Sequence, residues 1–203
     1  MIEVPTTVMR GNGLCKGRTG FNLIVMVALW IITLVDYGMI NIYLKHLPGN
    51  RYLNFTTSGV SEIFAHSIVG AFFVQLTPRW TFFIGFAVSL CGAIPLVWQE
   101  QFESGALISM FVLLAKFGIS MAMCGCYVST PFIFPILLSG TAFGICNIFG
   151  RFFAIASPYI AEFKVPLPME IFSIMALVGL VICLFLKTTK EEEPARLTLT
   201  RTS

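Results

Sequence analysis

Along this chain, hydrophobic and polar positions alternate on the scale of whole segments. Six apolar stretches, Gly20 to Leu44, Phe55 to Leu76, Arg79 to Trp98, Gly105 to Thr130, Ser139 to Ile160 and Leu167 to Leu186, are separated by short polar or proline-rich breaks. Each is close to the ~20 residues with which a helix crosses a hydrocarbon core of ~30 Å. A helix is the element expected, because an unpaired backbone amide in lipid costs several kcal/mol and a helix pairs its own. The breaks are Leu47-Pro48-Gly49-Asn50, Thr77-Pro78-Arg79, Gln99 to Ser104, Pro131 with Pro135, and Lys164-Val165-Pro166 with Pro168. Proline and glycine there remove a donor or free the backbone, which ends helices. The pattern predicts an all-α polytopic membrane protein of six transmembrane helices. The bundle fills 20–187, after a cytoplasmic segment 1–19 and before a cytoplasmic tail 188–203. The first stretch is too long and too weakly led for a cleaved signal peptide, so it is expected to stay as a span.

Composition agrees and excludes other classes. Hydrophobic residues make up 57% of the 203 residues and charged ones only 11%, against about 25% in soluble domains. Six spans leave no room for a soluble catalytic domain. There is no phosphate-binding glycine loop, nucleophile elbow or zinc signature, and His46 and His66 are not placed as a catalytic pair. No enzyme activity, cofactor, metal or nucleic-acid partner is expected. Five of the six cysteines, Cys91, Cys124, Cys126, Cys146 and Cys183, fall inside spans and read as small apolar packers, with Cys15 a lone thiol. Orientation follows from Lys and Arg. With the amino terminus inside, Arg10, Lys16, Arg18, Arg79, Lys187, Lys190, Arg196 and Arg201 are cytoplasmic, and only Lys45, Arg51 and Lys164 lie outside. The positive-inside rule therefore puts both termini in the cytoplasm.

Titratable side chains inside the apolar segments carry the candidate chemistry: Asp36, Glu62, His66, Lys116 and Arg151. A charge facing lipid near the bilayer centre costs at least ~2.5 to 3.5 kcal/mol, so these groups are expected to face the bundle interior or water. At ~1.5 Å per residue, His66, Lys116 and Arg151 lie near mid-depth and Asp36 and Glu62 somewhat outward, forming one band. Glu62 and His66 are four apart, a spacing that lets a carboxylate bond an imidazole. Asp36, beside Tyr37 and Gly38, is expected to reach an aqueous cavity without deep burial. The same groups serve structure instead if they only pair with one another and hold the helices in register.

Order adds to residue type. Gly49-Asn50-Arg51-Tyr52-Leu53-Asn54-Phe55, then Ser58-Gly59 and Glu62-Ile63, closely resembles the segment leading into the eighth helix of the organic cation, organic anion and carnitine transporter family of the major facilitator superfamily. The likeness continues through Lys116-Phe117-Gly118-Ile119-Ser120, Tyr127, Phe134-Pro135, Gly144, Gly150-Arg151 and Ser157-Pro158. The resemblance implies one half of such a transporter, helices seven to twelve, moving small organic ions by alternating access. It implies an opposing bundle from a second copy or a separate N-terminal half; the alternative is a non-transporting subunit or truncated relic. Arg151 falls where charge in the eleventh helix helps set substrate sign, and His66 where anion carriers often have Lys. Both point to anionic substrates. Asp36 replaces a common Tyr and points the other way, so the sign stays open.

The departures from the family pattern concern gating. Its Asp-Arg-x-Gly-Arg-Arg loop is reduced to Thr77-Pro78-Arg79-Trp80, Phe132 stands at a Glu position, Ser139 at an Arg position, and Phe64 at the Pro after Glu-Ile. Both cytoplasmic charge clusters are thereby lost, while the central charges are kept. On this reading Arg151, Glu62, His66, Asp36, Lys116 and Tyr37 are the candidates for a substrate or ion pathway: Arg151 as counter-charge, Glu62 and His66 tuning or coupling protons, and Lys116 bracing its helix.

Overall fold

The computed structural model describes residues 17–46, 51–72, 77–98, 105–164 and 166–186. The described elements are helices: α1 Arg18–Tyr43, closed by a 3-10 turn at Leu44–His46, α2 Arg51–Phe72, α3 Pro78–Val97, α4 Gly105–Ile133, α5 Ile136–Ala154, α6 Ser157–Ala161 and α7 Leu167–Cys183. Among the described residues four helical segments are long and apolar enough to cross a membrane: Thr19–Tyr43, Pro78–Val97, Gly105–Ile133 and Ile136–Ala161. Four of the six expected spans thus meet that measure, and the second and sixth stretches hold helices that do not. At 22 residues α2 is long enough but too polar, and α7 is apolar but only 17 residues long.

The boundaries shift for identifiable reasons. α2 opens at Arg51, because Arg51 to Asn54 are helix-competent without being apolar. α4 runs through Pro131 to Ile133; the proline has no N–H for the carbonyl of Tyr127, one turn back, and the helix ends two residues beyond it. The actual break is at Phe134 and Pro135, whose carbonyl accepts from the amides of Leu138 at 2.8 Å and Ser139 at 2.9 Å and so opens α5. The fifth apolar stretch is two helices rather than one. Pro158 has no N–H for the carbonyl of Ala154, one turn back, and the Ser157 hydroxyl donates to that carbonyl at 2.7 Å instead. After α7 the amides of Leu184, Phe185 and Leu186 donate three residues back, a tighter turn that ends the α-helix before the apolar stretch does. The breaks at Leu47 to Asn50 and Gln99 to Ser104, most of segment 1–19 and the tail 188–203 lie outside the described residues.

α1 is the central helix, packed against α4, α5, α6 and α7. Its Trp30 is fully buried, with ring centroids 4.9 Å from Tyr127 of α4 and 5.3 Å from Phe143 of α5. The Trp30 indole donates to the Thr130 hydroxyl at 3.2 Å, so the ring's one polar atom is satisfied inside the core. The most extensive seam joins α3 to α4, and Phe86 of α3 lies under Gly179 of α7. α2 lies on α4 through a small separate cluster of Ala65, Val69 and Met121. The five described cysteines are free thiols; Cys126, Cys146 and Cys183 are buried, and Cys91 is exposed.

Candidate functional site

Where α1, α2 and α4 converge, a polar cluster interrupts the apolar packing. Tyr37 and Asn41 of α1 are one turn apart and so share a face. The Tyr37 hydroxyl donates to Oε1 of Glu62 on α2, and the Lys116 ammonium of α4 donates to Oδ1 of Asn41. Lys116 Nζ also lies 3.7 Å from Oε2 of Glu62 and 4.5 Å from the centroid of the Tyr37 ring. The ammonium is thus met by an amide oxygen, a carboxylate and a π-face. Lys116 is 1% exposed, whereas the Glu62 side chain is 24% exposed. An ion pair this deep persists only when further hydrogen bonds offset the lost hydration, and Tyr37 and Asn41 supply them. The carboxylate faces outward from the cluster and the ammonium is sealed behind it.

Of the candidate residues, the structure brings Tyr37, Glu62 and Lys116 together and separates the other three. Asp36 is fully buried, and neither carboxylate oxygen has a hydrogen-bond partner among the described residues, which corrects the expectation that it reaches an aqueous cavity. The reason is rotational: successive helix residues point about 100° apart, so Tyr37 meets α2 while Asp36 turns into the packing of α1. His66 is exposed, and Glu62 is engaged by Tyr37 and Lys116 from across the groove rather than by His66 on its own helix. Arg151 is exposed on α5, its Nε donating to Oδ1 of Asn147 at 2.6 Å, one turn back. The single charge band expected from depth alone therefore divides into a satisfied cluster, an orphan acid and two outward-facing bases. Asn41 and Asn147 escaped notice because they are neutral; each stands four residues from a candidate, at Tyr37 and Arg151, and that spacing was the available signal.

Elsewhere the polar features are slight. Lys45 and Glu162 form an ion pair between the end of α1 and the residue after α6, both exposed, of a kind that contributes little. A hollow of about 390 Å³ at the α5–α6 junction is lined by Phe152, Phe153, Ile155, Ala156 and Tyr159 and takes in none of the charged residues.

No family model matches the chain. Among curated proteins it is similar to solute carrier family 22 member 4 of Mus musculus, 31% identical over 137 residues, which are 67% of this chain and 24% of that protein. It is 25% identical to solute carrier family 22 member 15-like of Xenopus laevis over 191 residues, 89% of this chain and 37% of that one. Organic cation/carnitine transporter 2 of Homo sapiens matches at 26% identity over 137 residues, 67% of this chain and 24% of the relative. The chain spans about a quarter to somewhat over a third of the length of these curated relatives. Apolar helices of spanning length and these matches together bear out the resemblance read in the sequence: the chain is a multi-pass integral membrane protein similar to the organic cation and carnitine transporters of solute carrier family 22.

Proposed function

We propose that this chain is a transmembrane transporter, or one half of one, for small organic ions, working by alternating access with no covalent chemistry. The observation that carries the proposal is the Glu62–Lys116 pair at the junction of three helices, with the carboxylate side partly open. An intramembrane charge is costly and marks an ion or substrate path by default. Glu62 and Tyr37 then present the polar surface that a bound ion meets, and Lys116 braces α4 behind them. Arg151 offers a counter-charge on the outward face of α5, and His66 a proton-sensitive group on α2. The six apolar segments act as helices seven to twelve of the family plan, with both termini cytoplasmic. An opposing bundle, from a second copy or a separate N-terminal half, supplies the other wall of the path.

The test is uptake of a panel of labelled organic anions and cations into proteoliposomes holding the purified chain, beside Glu62→Gln and Arg151→Ala versions. Saturable uptake that either substitution abolishes is the expected result. Absence of uptake by folded protein overturns a self-sufficient carrier. It favours the second reading, a non-transporting membrane subunit, which the replaced gate positions Phe132 and Ser139 support.

A further inference from the structure

Asp36 is 0% exposed, and neither Oδ1 nor Oδ2 has a hydrogen-bond partner among the described residues. The contrast with its neighbour is direct. Glu62 has the Tyr37 hydroxyl on one oxygen and the Lys116 ammonium beside the other, whereas Asp36, one residue from Tyr37, has neither donor nor cation. The elements packed on α1 offer no compensation. On α4, Lys116 is taken up by Asn41 and Glu62, and Cys126 by the Thr33 hydroxyl. On α5, Arg151 turns outward to Asn147 and Cys146 is a buried free thiol. α6 contributes the exposed Tyr159 and the Ser157 hydroxyl, which donates to the carbonyl of Ala154, and α7 contributes Glu170 in its first turn and the Cys183 thiol, which bonds the carbonyl of Leu180. No described cation pairs with Asp36. An ionised carboxylate cannot persist buried without a partner, because nothing replaces its hydration, but the neutral acid can.

We infer that Asp36 is a proton-binding site sealed inside the bundle, its side chain a carboxylic acid in the conformation seen. Binding forms one O–H bond on the carboxylate with a proton taken from water and displaces nothing. Release reverses that step when the packing around α1 opens to solvent. Among the described residues no group of three His, Cys, Asp or Glu side chains is placed to hold a metal ion, so the site inferred is one for a proton. It stands whether or not the chain transports organic ions.

The sequence offers an unusually clean test, because Asp36 is the only aspartate among the 203 residues. Cell-free synthesis with aspartate carrying heavy carbon at its side-chain carboxyl marks this one group without any substitution. Infrared spectra of the full chain in lipid at neutral pH are compared, labelled against unlabelled. The expected result is an isotope shift in the carbonyl band of a protonated acid, and loss of that band in Asp36→Asn. A shift confined to the carboxylate bands overturns the inference, as does a carboxylate band that responds to exchange of sodium for potassium. Should Asp36→Asn not fold, the labelled native chain alone decides between these results.

Discussion

The two faces of α4 are built on different terms. Toward α3 the backbones nearly touch: a Cβ added at Gly118 would stand 2.2 Å from the amide nitrogen of Ser89, one at Gly92 2.3 Å from that of Ala115, and one at Gly85 3.0 Å from that of Ala122. Toward α2 the contact rests on the side chains of Ala65, Val69 and Met121 with the polar cluster beside them, and the α2 glycines Gly59 and Gly70 are exposed, with nothing within 4 Å. Between membrane helices close backbone approach supplies the attraction that water supplies elsewhere, so the α3–α4 seam is a rigid unit. α2 is held on α4 by that small cluster and one ion pair instead of by backbone contact.

The largest effect should come from wedging the seam. Gly118→Val puts branched carbon into the backbone of α3, and loss of more than ~4 kcal/mol is expected, an exceptional value with a named cause. The check is recovery of monodisperse protein in detergent; a normally folded Gly118→Val protein would show that the seam yields. Next comes Lys116→Ala, which leaves Glu62 without its cation and should cost ~3 to 5 kcal/mol. A double-mutant cycle with Glu62→Gln, read by thermal unfolding, should recover much of that loss, and strict additivity would mean the two groups do not interact. Smaller is Gly70→Ala on the open side of α2, expected to stabilise by up to ~1 kcal/mol through helix propensity alone. A destabilisation of similar size would reveal a neighbour packed on that face. Smallest in stability is Arg151→Ala, exposed and expected to stay within ~0.5 kcal/mol of the parent, so that any loss of uptake in that variant reports on the path and not on folding.

Apolar runs revealed the helices well, since length and hydropathy are what the bilayer demands, but they missed events governed by hydrogen bonds. The interruption at Ile155 and Ala156 depends on Pro158 withholding a donor from Ala154, and hydropathy does not register that. The break expected across Pro131 and Pro135 is confined to Phe134 and Pro135, with Pro131 still inside α4. The site was legible as residue types: Glu62, Lys116 and Tyr37 stood out as costly polar groups in apolar helices. Their meeting was not, because it depends on the register of three helices packed by unrelated parts of the chain. Asp36 was misjudged for a simpler reason. Depth along a helix says how far a residue is from the membrane surface, but rotation about the axis decides whether it meets solvent, and one position separates Asp36 from Tyr37.

The modest hydropathy of α2 also bears on how the chain is made. Insertion into a bilayer weighs each emerging segment on its own apolarity, and α2 falls below the level that α1, α3 and α4 reach. Its main packing partner, α4, leaves the ribosome only after α3 has followed it. Seating of α2 is therefore expected to wait for α4, when Lys116 arrives to meet Glu62, so that the order of assembly departs from the order of synthesis.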